Sequence, residues 1–145
     1  MRAQSLRILL IDDNKHGLVA RRTVLEQLGH KVAVAAGGQE GLDQFAAHPF
    51  DLVVTDYRMP EVTGQQVIRK IRQQSPQTPI VLLSGYAESL GLTEQSTGAD
   101  VVLSKGPTEV QDLLRAIERL SRRRIPAKRA AAAGAGSRAR RPKTG

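Results

Sequence analysis

The chain has 145 residues, 22 of them Lys or Arg and 14 Asp or Glu, for a net charge of +8. That length suits one domain, and 40% apolar residues supply a core that a 3% aromatic content leaves to aliphatic side chains. Zero Cys excludes a disulfide framework, a thiolate metal site and a thiol nucleophile. The first apolar run, Ile8–Ile11, is too short for a signal peptide or a membrane span.

That run, Ile8-Leu9-Leu10-Ile11, predicts a strand ending at Asp12-Asp13. Asn14–Leu28 predicts a helix with Leu18, Leu25 and Leu28 on one face. Val32-Ala33-Val34 is a second strand, and its shortness, Ala content and leading Lys31 place it at a sheet edge. Gly38–Ala47 is a weaker helical pattern, and Leu52-Val53-Val54 is a third strand with Asp56 at its end. Thr63-Gly64-Gln65-Gln66 reads as a capping box, followed by Val67, Ile68 and Ile71 as the buried stripe. Ile80-Val81-Leu82-Leu83 is the fourth strand, ended by Ser84. Glu88–Thr97 is expected to be a weak helix, because Gly91 and several Ser and Thr residues lower its propensity. Val101-Val102-Leu103 is the fifth strand, closely followed by Lys105. Pro107 suits the first position of the last helix, in which Val110, Leu113, Leu114, Ile117 and Leu120 recur at helical spacing.

Four of the five runs are continuous rather than alternating, as in parallel strands covered on both faces. Strand alternating with helix predicts an α/β fold of three layers. The sheet is expected to hold five parallel strands in the order 2-1-3-4-5, a flavodoxin-like (βα)5 arrangement. Ligands of such sheets bind beyond the carboxyl ends of the strands.

Asp12, Asp13, Asp56, Ser84 and Lys105 all fall at those ends. Any one of them alone reads as a helix cap or turn former, as do Asp13 and Asn14. Caps, however, require neither a Lys nor acids at three separate positions. Three packed carboxylates repel, so a cation must bind or some must hold protons. Oxygen ligands without a nearby His or Cys favour a hard ion, Mg²⁺ before transition metals. Acids, a Lys and a hydroxyl around such an ion suit phosphoryl transfer, with a carboxylate attacking in line. Gly85 leaves space for the incoming group.

The set Asp12-Asp13, Asp56-Tyr57-Arg58-Met59-Pro60 with Gly64, Ser84-Gly85 and Lys105 resembles a response-regulator receiver domain of two-component signalling, over about residues 6–121. The resemblance implies that Asp56 accepts a phosphoryl group from a phosphohistidine on a sensor histidine kinase or a phosphotransfer protein. It implies that Asp12, Asp13, Asp56 and the backbone carbonyl of Arg58 hold Mg²⁺. Ser84 would hydrogen-bond the phosphoryl group and Lys105 would pair with it. Phosphorylation would then shift an inactive–active equilibrium and remodel the face formed by the fourth helix, fourth and fifth strands and fifth helix. Such a domain is a switch, with no enzymatic activity beyond its own phosphorylation and dephosphorylation.

Two positions depart from that family's pattern. Val102 stands where most receivers carry an aromatic, so the aromatic readout is absent and the signal must leave by another path. Tyr86 is read as a partly exposed loop residue rather than its substitute. Lys105-Gly106-Pro107 replaces a direct Lys-Pro pair, whose bond is cis in most receivers. A cis bond before a non-proline residue costs roughly 2.5–4 kcal/mol, so the loop takes a different path or the cis bond moves to Gly106–Pro107. His16, His30 and His48 lack metal-ligand spacing and read as surface residues, Met59 as loop packing, and Arg58 as a neighbour of the entrance.

Residues 1–120 hold 13 basic and all 14 acidic side chains, whereas 121–145 hold nine basic and none acidic. Ser121-Arg122-Arg123-Arg124 continues the last helix or frays from it, Pro126 stops it, and Ala130–Gly136 is of low complexity. The expected organisation is a receiver over 1–121 and a disordered basic tail over 122–145. Weak, non-specific polyanion binding is expected of that tail, with nucleic-acid binding as its output the alternative reading. A dehalogenase-like, Mg²⁺-dependent phosphohydrolase is a further alternative. It is disfavoured because such enzymes carry Asp-x-Asp after strand one, where this chain has adjacent acids. A nicotinamide or flavin domain is disfavoured by the missing glycine fingerprint after strand one. The initial Met and basic end suggest a stand-alone chain, and the lack of an apolar span a cytoplasmic one.

Overall fold

The computed structural model describes residues 5–85 and 90–123. Strands and helices alternate as β1 (Arg7–Ile11), α1 (Lys15–Gln27), β2 (Lys31–Ala35), α2 (Gly38–Ala47) and β3 (Leu52–Asp56). They continue as α3 (Gly64–Gln74), β4 (Ile80–Ser84), α4 (Glu94–Thr97), β5 (Val101–Ser104) and α5 (Glu109–Arg123). All strand pairings are parallel, in the expected order β2-β1-β3-β4-β5.

The unbroken apolar runs follow from the layering. Ile8 and Leu10 face a core shared with Leu18 and Leu25 of α1 and with Leu113, Ala116, Ile117 and Leu120 of α5. Leu9 and Ile11 face the opposite core, with Leu42 of α2 and Val67, Ile68 and Ile71 of α3. Successive strand side chains point to opposite faces, so a strand covered on both sides needs apolar residues throughout. β3 and β4 are buried along their whole length, whereas β2 and β5, the two edges, are less so.

The capping box of α3 forms as the sequence predicts. The Gln66 N–H donates to Thr63 Oγ1 at 3.2 Å, and the Thr63 N–H donates to Gln66 Oε1 at 2.9 Å. Other expectations are corrected. Leu28 is 52% exposed, because α1 ends before it and it serves as the C-cap residue. The inward position one turn after Leu18 belongs instead to Arg21, which is buried. α5 begins at Glu109, two residues after Pro107, and the Glu109 N–H donates to the Gly106 carbonyl in the preceding turn. Val110 accordingly points outward, and Leu113, Ala116, Ile117 and Leu120 form the inner stripe. Among the described residues of the expected Glu88–Thr97 helix, only the short turn Glu94–Thr97 is helical. Gly91 at φ +64 bends the chain away from a helical path, and Thr93 caps the turn that remains. Residues 86–89, including Tyr86, lie outside the described residues.

His16 and His48 are exposed as expected, but His30 is half-buried and its Nδ1 accepts from the Leu6 N–H at 3.1 Å. Burial lowers the His30 pKa below the ordinary imidazole value. No described peptide bond is cis, so the Lys105–Pro107 segment takes a different path, the first of the two expected alternatives. α5 runs through Arg123, and residues 124–145 of the expected tail lie outside the described residues. No helix among the described residues is long and apolar enough to cross a membrane.

Candidate functional site

Parallel strands all end on the same side, so β1, β3, β4 and β5 deliver Asp12, Asp56, Ser84 and Lys105 to one edge of the sheet. Asp12, Asp13 and Asp56 each offer a carboxylate oxygen, and these oxygens lie within 4.8 Å of one another. Asp12 and Asp56 are buried and Asp13 is exposed. Asn14 caps α1, its Oδ1 accepting from the Gly17 N–H, and so turns the chain directly after the acid pair.

β3 and β4 pair Asp56 with Leu83, which puts the buried Ser84 one residue further along the adjoining strand. The Tyr57 N–H donates to the Leu83 carbonyl at 2.9 Å and continues the ladder past Asp56. Gly64, the first residue of α3, sits against the Asp56 and Tyr57 backbone, and its N–H donates to the Tyr57 carbonyl at 2.8 Å. A side chain there would collide with the Asp56 carbonyl oxygen. Met59 is buried in the α2–α3 core as loop packing, as read from the sequence, while Arg58 is exposed beside the site. A groove of about 500 Å³, lined by Asp13, Tyr57, Arg58, Met59 and Leu90 among others, opens next to the acids.

Despite the extra Gly106, Lys105 reaches the pocket. Its N–H donates to the Ser84 carbonyl at 3.0 Å, and its Nζ lies 2.9 Å from Asp56 Oδ1 and 3.5 Å from Asp12 Oδ2. Burial pushes the Asp56 carboxyl above its ordinary pKa. The Lys105 ammonium opposes that shift, while the nearby Asp12 charge adds to it. Asp12 also suffers burial, yet its pKa is lowered. The Asn14 amide, the Arg21 guanidinium and the Lys105 ammonium together outweigh desolvation there. Two carboxylates a few ångströms apart are thus shifted in opposite directions, Asp56 upward by burial and Asp12 downward by its donors.

Arg21 was not among the residues the sequence pattern singled out. Its NH1 donates to Asp12 Oδ2 at 2.8 Å and its Nε to Glu109 Oε2 at 2.6 Å. Burial works against its charge, but these two carboxylates hold its pKa up. The available signal was an Arg on the apolar face between Leu18 and Leu25, with Gly17 one turn before it.

The donor set fits a hard divalent cation. Among the described residues the three acids supply only oxygen ligands, none of them from His or Cys. Counting Asp12, Asp13, Asp56 and Glu109 against Arg21 and Lys105 leaves two unbalanced negative charges.

The fold and pocket therefore define a flavodoxin-like parallel sheet with an acidic edge whose donors suit a hard cation. The chain belongs to the response regulator receiver domain family, whose model matches residues 8–118. It is a receiver domain of the phosphoacceptor signalling class, and the phosphohydrolase reading is not favoured. It is 32% identical over 125 residues to the gliding motility regulatory protein of Myxococcus xanthus, a match covering 82% of this chain and 16% of that protein. The chain therefore spans a small part of that relative's length. A response regulator receiver domain protein from Clostridium thermocellum superposes with a TM-score of 0.74 at 30% identity, covering 83% of this chain and 98% of that one. The response regulator protein TrrA of Thermotoga maritima, solved in complex with Mg²⁺-BeF, superposes with a TM-score of 0.71 at 27% identity, covering 79% and 97%.

Proposed function

We propose that Asp56 is the phosphoacceptor of this receiver and that its donor is a phosphohistidine on a sensor histidine kinase or phosphotransfer protein in the cytoplasm. The observation that carries this reading is the 2.9 Å approach of Lys105 Nζ to Asp56 Oδ1 within the cluster of three acids. An Asp56 carboxylate oxygen attacks phosphorus, the P–N bond breaks, and the electron pair leaves on the imidazole nitrogen. Lys105 moves from carboxylate partner to phosphoryl partner, and the Ser84 hydroxyl donates to a phosphoryl oxygen. Asp12, Asp13, Asp56 and the Arg58 carbonyl would hold Mg²⁺, which supplies charge neutralisation at the phosphoryl oxygens when bound. Beyond its own phosphorylation and dephosphorylation the domain has no turnover of its own.

Incubation with Mg²⁺ and acetyl phosphate should raise the intact mass by one phosphoryl group, and Asp56→Asn should remove that increment. Undiminished labelling of the variant would place the acceptor elsewhere.

Residues 1–121 form the receiver unit in this reading, and 122–145 a basic arm. The nine basic and zero acidic side chains after residue 120 favour weak polyanion binding by the arm. With four to six phosphates engaged, log affinity should fall with log salt at a slope on the order of −4 to −5. Deleting 122–145 should abolish duplex DNA binding without affecting Asp56 labelling. Binding that survives the deletion would assign it to the folded body.

A further inference from the structure

A line of charges leads from the acidic pocket to the fifth helix. Arg21 occupies a core-facing position of α1, and its side chain is only 8% exposed. A guanidinium placed there unpaired would be strongly unfavourable. It is instead held at both ends, by Asp12 at the site and by Glu109, the first residue of α5. Space for it is left by Gly17, where a Cβ would stand 3.1 Å from Arg21 NH1. The Glu109 side chain is itself only 15% exposed. Meanwhile the other Asp12 oxygen accepts the Asn14 N–H at 2.9 Å, so both oxygens of Asp12 are engaged.

A cation entering among Asp12, Asp13 and Asp56 must share the Asp12 carboxylate with the guanidinium, and like charges repel. As Asp12 turns towards the cation, Arg21 is left leaning on Glu109. α5 is well placed to respond, because its first turn ends the loop that carries Lys105. Such a route also suits a chain in which Val102 offers no aromatic readout on β5.

We propose that Arg21 is a positioning residue that couples the pocket to α5, gripping Asp12 and Glu109 together so that occupancy of the site is felt at the first turn of the helix. The proposal rests on the reading of the pocket as a Mg²⁺-dependent phosphoacceptor site. It assigns the signal path of this receiver to α1 and the start of α5.

Backbone amide NMR of the full chain tests it, with Mg²⁺ added first and acetyl phosphate second. In the wild type, amides of Glu109–Asp112 should shift together with those of Asp12–Asn14 and Asp56–Tyr57. Arg21→Met keeps the apolar stem and removes the charge. It should cut the Glu109–Asp112 response at least threefold while the pocket amides still respond. Mg²⁺ should bind this variant three- to tenfold more tightly, because a competing cation is gone. Glu109→Gln should also silence the α5 response, but should weaken Mg²⁺ binding, because a negative charge is gone. The double variant Arg21→Met/Glu109→Gln removes one charge of each sign, guards against a folding failure of the single variant, and should lose the α5 response alike. An α5 response of wild-type size in the folded variants would overturn the proposal, as would Mg²⁺ affinities moving in the same direction in both single variants. If Mg²⁺ and phosphodonor left the pocket amides of the wild type unmoved, the reading of the pocket itself would fall.

Discussion

Gly64→Ala probes how closely α3 is packed against the strand end that carries Asp56. The residue has no positive φ, so its requirement is for space alone. An added Cβ would collide with the Asp56 carbonyl oxygen and stand 2.9 Å from Tyr57 Cα and 3.0 Å from the Asp56 carbonyl carbon. All three are backbone atoms of the last residue of β3 and the residue after it, so none can rotate aside as a side chain would. Overpacking typically costs about 1–3 kcal/mol, and a backbone collision belongs at the upper end. Reduced freedom of the unfolded chain returns about 0.4–1 kcal/mol. The net loss is about 2 kcal/mol, or about 8 °C in Tm for a domain of this size. Thermal unfolding by circular dichroism measures it, with Gly106→Ala as the control, since a Cβ there meets nothing within 4 Å. The control should stay within about 0.5–1 kcal/mol of wild type. Because α3 must retreat from Asp56, labelling by acetyl phosphate should also slow. A Gly64→Ala protein melting within about 2 °C of wild type would refute the claim that this contact is sterically closed.

Other substitutions test the electrostatics and the packing. Lys105→Ala removes the cation that opposes burial at Asp56. The Asp56 carboxyl should therefore titrate at higher pH by carboxyl ¹³C NMR, and the shifts induced by phosphorylation should shrink; an unchanged titration would separate Lys105 from the site. His30 is held neutral by burial and by accepting the Leu6 N–H. The unfolded chain binds the proton more readily, so stability should be full above the ordinary imidazole value of 6.5 and fall as pH drops below it. His30→Gln should flatten that part of the pH profile, and a slope identical to wild type would assign the proton to another group. Arg72 donates to Asp100 at 2.8 Å and to the carbonyls of Thr78, Pro76 and Gly98, tying α3 to the chain around β4 and β5. Arg72→Met should cost about 2–3 kcal/mol in urea unfolding, and a loss below about 0.5 kcal/mol would make those bonds incidental.

Much of this protein was legible in one dimension. A strand buried on both faces admits little but aliphatic residues, so the five runs announced the strands and their parallel pairing. Topology then required every strand end to lie on one side, which is why Asp12, Asp56, Ser84 and Lys105 could be grouped without knowing any distance. The capping box at Thr63 was equally local, since its two hydrogen bonds join residues three apart. What depended on several elements at once was not legible. Leu28 and Val110 fit the helical period yet point outward, because helix ends are set by where the chain leaves the core rather than by periodicity. His30 is half-buried because the Leu6 amide meets its ring from a neighbouring segment. Gly106 left the position of Lys105 open until the Ser84 carbonyl fixed its N–H. Arg21 looks like one more basic residue on a surface helix, and only the approach of β1 and α5 turns it inward, because a buried guanidinium needs two carboxylates that the sequence places 9 residues before it and 88 after it.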